Sequence, residues 1–176
     1  MSKTVVFSQT GYSVDDTRKA NVDRLIKLCT HAVFSPDWVS HDITGDDIPE
    51  TFCNRAVRYI ADGCGYKGFA PTDSANMQIA KMAKDTSSCE EIPWADASRY
   101  ALKGALVVIG VSVDGGHGHV TVVHPSEMQD SSTYQCKVPI VAHVGKPPNG
   151  VMRMSGAYSA ALRPKLRAFL FKSTVA

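Results

Sequence analysis

Ala105-Leu106-Val107-Val108-Ile109-Gly110-Val111-Ser112-Val113, then Asp114-Gly115-Gly116, then Gly118-His119-Val120-Thr121-Val122-Val123-His124, is the stretch that decides the fold of this chain. The first run is rich in β-branched residues, the Asp-Gly-Gly step supplies a turn, and the second run returns, which predicts an antiparallel hairpin. Downstream, 138–144 and 166–172 predict two further strands. Upstream the period changes to helical. Residues 15–33 predict a helix capped by Asp15 or Asp16, with Leu25, Ile26, Cys29, Ala32 and Val33 recurring on one side and Ser35-Pro36 as its stop. A second helix is expected over 49–61, with Pro49 in its first turn, Phe52, Cys53, Ala56, Val57, Tyr59 and Ile60 at helical spacing, and Gly63 and Gly65 ending it. Residues 74–84, capped by Ser74 and burying Met77, Ala80 and Ile79, predict a third, and 94–103, closed by Gly104, a fourth. Helices first and a meander of strands afterwards argue for an α+β domain, its N-terminal helices packed on one face of an antiparallel sheet.

The 176 residues are enough for one domain with a proper core and too few to suggest two. The single domain is therefore expected to span 1–176, with residues 1–46 as an N-terminal extension. With 44% hydrophobic and 20% charged residues the composition is that of a soluble globular protein. A net charge of +2 gives no hint of a nucleic-acid partner. The basic group Arg163, Lys165, Arg167 and Lys172 reads as a solvated strand face that could also dwell on an anionic cell wall. No apolar run approaches the ~20 residues of a membrane span. Residues 1–8 lack an apolar stretch behind a basic start, so synthesis in the cytoplasm without a signal peptide is expected. Five irregularly spaced cysteines, Cys29, Cys53, Cys64, Cys89 and Cys136, argue for reduced thiols rather than a disulfide framework.

Two distant segments carry the chemistry. Thr51-Phe52-Cys53-Asn54 opens the second helix, and Gly116-His117-Gly118-His119-Val120 opens a strand. A thiol with a pKa near about 8.5 is mostly protonated at neutral pH, whereas the positive end of a helix and a nearby imidazolium both favour the thiolate. Cys53 is thus the candidate nucleophile, against the usual fate of a cysteine as a small core residue. Three histidines compete as base. His119 starts the strand and can be held by its ladder, with its ring toward the helix-covered side. His117, in the turn, is the first alternative, and His124 lies at the far end beside Pro125. His143, in Pro139-Ile140-Val141-Ala142-His143-Val144, could reach His119 across an adjacent strand and fix its tautomer. The backbone amide of Cys53 is the expected main oxyanion donor, with no second donor assigned, and Asn54 is read as a polar first-turn residue. Trp38 and His41 sit in the long connection 34–49, of a kind that often forms a site wall.

These segments resemble the NlpC-type papain-like cysteine peptidases and the related CHAP amidases. The matches are Cys53-Asn54 with Ala56 and Val57, Gly118-His119-Val120 with Val122 and Val123, and His143. Phage-associated members look closest, through Gly68-Phe69, Ala75-Asn76-Met77 and Val144-Gly145-Lys146. The likeness covers roughly residues 47–172. It implies a papain-like fold, a catalytic set of Cys53, His119 and His143, and no metal or organic cofactor. The implied substrate is an amide bond of bacterial peptidoglycan, within the stem peptide or between stem and sugar. It further implies action at the cell wall or periplasm after release or injection, and an inhibitor or immunity protein as a candidate partner.

Other classes compete with this reading. A zinc site could draw on His117, His119, Cys53 and Cys64, yet those cysteines are too far apart for a usual zinc knuckle. An inactive papain-like virion or tail component would keep the scaffold without the chemistry. Acyl transfer to an amine would use the same residues as hydrolysis. Nucleotide binding finds no support, because Asp114-Gly115-Gly116-His117-Gly118 links two strands and Gly145-Lys146 precedes Pro147-Pro148.

Overall fold

The structure, a computed structural model, describes residues 14–38, 52–145 and 147–172. His41, Pro49 and Lys146 lie outside the described residues. Helix α1 spans Val14–Phe34, α2 Cys53–Gly63 and α3 Ala75–Lys84. Strand β1 (Cys89–Ile92) follows, then a 3-10 turn at Trp94–Asp96 leading into the short α4 (Ala97–Ala101). The hairpin is β2 (Val107–Val111) and β3 (His119–Val123). After it come β4 (Gln129–Ser131), β5 (Cys136–Val138), β6 (Ile140–His143), β7 (Gly150–Arg153), α5 (Met154–Ala157), a 3-10 segment at Ala160–Lys165, and β8 (Arg167–Phe171). Mixed helices and an antiparallel sheet make this an α+β architecture. Among the described residues no helix is long and apolar enough to cross a membrane.

The main sheet has the order β1-β8-β2-β3-β6-β7, while β4 and β5 pair separately. It is not a plain meander: the last strand inserts between β2 and β1, pairing Val108 with Phe169 on one side and Glu91 with Phe169 on the other. The expected strand over 138–144 is broken at Pro139, which has no amide hydrogen to continue a ladder. Val138 therefore ends β5 in the small sheet, and Ile140 opens β6 in the large one.

Alternation along the central strands divides the core in two. Val108, Val120, Val122, Ala142, Phe169 and Phe171 face α1, α2 and α3. Val107, Ile109, Val111, Val123, Val141, Ala168 and Leu170 face the other way, against Ala97 and Ala101 of α4, Met154 of α5, Tyr134 and Tyr158. The expectation of helices on one face only is thus corrected: both faces are covered. Period-2 runs apolar on both phases demand this, since either face left open would expose valines to water. On the first face α3 lies over β1, β2 and β3, α2 over β3, and α1 over β6 and β7.

Helix α3 starts where expected, with Ser74 Oγ accepting from Met77 N at 3.2 Å. Its buried stripe is Ala75, Gln78, Ile79 and Met82, whereas Met77 is 48% exposed and Ala80 is exposed. The phase is turned because polar Gln78 takes an inward position for a hydrogen-bonding reason given below. Gly104 closes α4 at φ +84°, and an added Cβ would lie 2.6 Å from Cβ of Asn21 in α1. The basic C-terminal group is largely exposed, and three of its four members also make hydrogen bonds. Arg167 makes two bonds to the Glu91 carboxylate at 2.8 and 2.6 Å, Arg163 donates to Tyr134 O at 3.0 Å, and Lys172 donates to Thr86 O at 2.7 Å.

Leu25, Cys29, Ala32 and Val33 place α1 in the same buried cluster as α2. Leu25→Ala is expected to cost about 2–5 kcal/mol of stability through the cavity it leaves. Urea denaturation measures this, and an unchanged midpoint would remove α1 from the core.

Candidate active site

Cys53 is the first residue of α2, and Phe52, its N-cap, has no side-chain acceptor to offer the opening amides. The positive end of the helix is therefore directed at the space in front of the thiol. Cys53 is itself only 3% exposed. It lines a cavity of about 250 Å³ together with Asn54, with Ser74 and Asn76 from the start of α3, and with Gly116, His117 and Gly118 from the hairpin.

No disulfide joins any of the five cysteines, all of which are described. Burial pushes the Cys64 thiol up to about 11 and the Cys89 thiol up to about 12, and it raises Cys29 further still, so these three stay protonated at neutral pH. Cys53 differs from them in its place: a helix start with a cavity in front of it.

His119 and His143 meet. His119 Nε2 lies 3.0 Å from His143 Nδ1, with the rings edge-on at 4.9 Å between centroids. His143 is buried and ends β6, and His119 begins β3 and is half-buried. The His119 ring also packs 5.2 Å from the ring of Tyr158. Tyr158 is anchored in turn, its hydroxyl donating to Ile109 O at 2.7 Å and lying 3.2 Å from Thr121 Oγ1. His119, Thr121 and Val123 thus share the face covered by Tyr158, not the face under α2. The expectation that the ring points to the side of the N-terminal helices is corrected accordingly. One observation still brings Cys53 to the same end of the sheet: it lines the same cavity as Gly118, the residue before His119. Burial raises the Tyr158 phenol, the Thr121 hydrogen bond opposes this, and Cys53 adds to the rise.

Burial, and secondarily the positive charge that His143 would carry, lower the His119 pKa from 6.5 to about 4. His119 is therefore a neutral imidazole at pH 7, with one ring nitrogen engaged by His143. His117 is exposed on the cavity rim and has a different position, beside the thiol's opening rather than in the histidine pair. His124 is removed from the site: its Nδ1 bonds Ser126 Oγ at the opposite end of β3. Trp38 packs against Tyr59 at 5.0 Å between rings, and its carbonyl accepts from Asn149 Nδ2 at 3.3 Å, with Asn149 Oδ1 accepting from Gly145 N at 2.9 Å. Trp38 thus braces the chain just beyond His143.

Asn54 does more than occupy a first turn. Its Nδ2 donates to Asp73 O at 2.7 Å, and its carbonyl accepts from Gln78 Nε2 at 2.8 Å. The buried Asp73 carboxylate accepts from Ala70 N at 2.7 Å and Lys81 Nζ at 2.6 Å. Tyr158 had no sequence signal, because it lies in an irregular segment and acts through tertiary packing alone. Asp73-Ser74 before an apolar helix was a legible cap, though its link to Asn54 was not.

The two cysteines of the zinc alternative cannot share one ion. Cys53 starts α2 and Cys64 caps its end, which puts them about 16 Å apart along the axis. Among the described residues no three His, Cys, Asp or Glu side chains converge as a metal site needs.

No model of a known family matches the chain, and no curated protein matches it.

An NMR titration is expected to place the His119 midpoint near 4, and His143→Ala to move it only part of the way up, because burial, the larger cause of the lowering, remains. Because the folded pKa lies below the unfolded one, the unfolded chain binds more protons between these values. Stability should therefore fall as pH drops from about 6.5 to about 4 and level off below, by about 3 kcal/mol at most from this residue. A His119 midpoint at the ordinary value would contradict the buried pair.

Proposed function

We propose that the chain is a papain-like cysteine hydrolase that cleaves an amide bond of bacterial peptidoglycan. The observation that carries the chemistry is the His119–His143 bond of 3.0 Å at a strand start adjoining the cavity that Cys53 lines. The substrate class rests on the resemblance of Cys53-Asn54, Gly118-His119-Val120 and His143 to the NlpC-type and CHAP enzymes.

In this reading the Nε2–H of His119 donates to His143 Nδ1, which leaves the His119 Nδ1 lone pair as the base. His119 takes the thiol proton as Cys53 Sγ attacks the carbonyl carbon. The oxyanion forms at the N-terminus of α2, where backbone amides and the helix field stabilise it. The imidazolium then gives its proton to the leaving amine, the C–N bond breaks, and a thioester remains on Cys53. Water, deprotonated by His119, attacks the thioester, and the acid departs as the thiol is restored. A resting His119 that is neutral at pH 7 suits a general base. No step calls for a metal or organic cofactor. Action at the wall or in the periplasm follows release by lysis, a secretion machine or a virus particle, with an inhibitor or immunity protein as candidate guardian of the host.

A second reading, a papain-like binding or virion module without turnover, is favoured by the near-complete burial of the Cys53 thiol at 3% exposure. A thiol-directed activity probe separates the two: the hydrolase labels more strongly than Cys53→Ala, and the inert module does not.

Cys53→Ala and His119→Ala should each lower peptidoglycan amide cleavage by at least about 10³-fold while leaving the fold intact. Mass spectrometry of muropeptides after digestion reads this, together with the bond cut. Undiminished cleavage by either variant would exclude that residue from the mechanism.

A further inference from the structure

We propose that Asn76 is a positioning residue: its side chain holds the His119 hairpin in place against the Cys53 helix, so that α3 brackets nucleophile and base. The chemistry of this inference rests on the hydrolase reading above, while the geometry stands by itself.

Asn76 is the second residue of α3 and reaches into the turn between β2 and β3. Its Oδ1 accepts from Val113 N at 3.3 Å, and its Nδ2 donates to Val113 O and to Gly116 O, both at 3.2 Å. One amide thus ties both ends of the 113–116 turn, whose own closing bond is Gly116 N to Val113 O at 3.2 Å. The same amide fills the place that a side chain at residue 118 would need: a Cβ there would sit 2.1 Å from Asn76 Oδ1 and 2.8 Å from Val111 O. Gly118 is the residue next to His119, so Asn76 fixes the path by which the chain enters β3.

The opposite side of α3 holds the nucleophile. Gln78 Nε2 donates to Asn54 O at 2.8 Å, and Asn54 Nδ2 donates to Asp73 O at 2.7 Å. This explains a polar side chain that is 0% exposed at position 78, where periodicity alone would place an apolar one. Within its first two turns α3 therefore bonds the residue after Cys53 and the turn before His119. Cys53 opens α2 and His119 opens β3, two separate elements, so how the two residues stand to one another depends on whatever spans those elements. Only a carboxamide meets the need at residue 76, with one acceptor for an N–H and two hydrogens for two carbonyls. Aspartate has the same shape but would turn acceptors toward both carbonyls.

The test uses the full chain with Asn76→Asp, folding checked by circular dichroism, and two readouts. On peptidoglycan kcat should fall about 10²-fold, with KM changed less than about threefold, as a small misplacement of reacting groups produces. The pH profile of Cys53 alkylation by iodoacetamide, which needs no natural substrate, should shift toward that of an ordinary thiol near about 8.5. Gly118→Ala crowds the same amide from the strand side and should shift the alkylation profile in the same direction. Wild-type kcat and a wild-type alkylation profile in folded Asn76→Asp would overturn the bracket. If Cys53→Ala is inert while Asn76→Asp behaves as wild type, the bracket alone fails. If Cys53→Ala still cleaves peptidoglycan, the hydrolase reading fails, and the alkylation shift alone then decides for or against the bracket.

Discussion

The arrangement of this molecule depends on the register of β3 against β6. Val122 pairs with Ala142 and Val123 with Val141. Continued toward the strand ends, that register sets His143 across from residue 121, diagonal to His119 and on the same face, which is where a 3.0 Å bond between their rings becomes reachable. A slip by one residue would send His143 to the opposite face and bury Val122 and Val123 the wrong way round. Both cores resist that slip. Val122 and Ala142 are embedded among α1, α2 and α3, while Val123 and Val141 are embedded beside α4, α5 and Tyr134. An exposed face would specify the register weakly; two buried faces specify it twice. The polar pair is held by apolar packing that has no chemistry of its own.

The positions of individual elements were legible wherever local physics determined them. The hairpin, the Ser74 cap and the break after Phe34 follow from turn chemistry, an oxygen acceptor before a helix, and Ser35-Pro36. Alternation put His119 and His143 at strand ends, and their meeting needed only adjacent antiparallel strands. What escaped was long-range. β1 reads Cys-Glu-Glu-Ile, with exposed residues between two buried ones, and gives no clean alternation. Its pairing with β8 joins segments about eighty residues apart. β7 is an edge strand opening on a glycine and has half its side chains exposed. The second covered face went unread because α5 is too short to display a helical period and nothing local told which face the helix expected over 94–103 would cover, and the Pro139 break was hidden inside a continuous apolar run.

The meeting of His119 with His143 was legible in the sequence, and the bonds that support the residues around it were not. A cysteine at a helix start and a histidine at a strand start carry chemistry in their identity and place. Asn54, Asp73, Asn76, Gln78 and Tyr158 act through partners that sequence spacing does not reveal. Gln78 is instructive: counted by periodicity it is a fault in an apolar stripe, and counted by hydrogen bonds it is the reason that stripe is turned. A buried polar side chain in a short amphipathic helix points to a backbone group that would otherwise go without a partner.

The nature of the third group shapes what His119 can be. A carboxylate beside its ring would favour the imidazolium and raise its pKa; a second imidazole supplies no negative charge, and its own protonation would oppose that of its neighbour. Burial works in the same direction as His143, so both lower the His119 pKa to about 4. At pH 7 the His119 ring is therefore neutral and does not form a standing ion pair. Tyr158 strengthens this bias. Its ring lies tilted against the imidazole at 5.2 Å, and its hydroxyl donates to Ile109 O rather than to His119. The chain that carries His119 into β3 is placed from the other side, since Gly118, the residue before it, walls the cavity that Cys53 also lines.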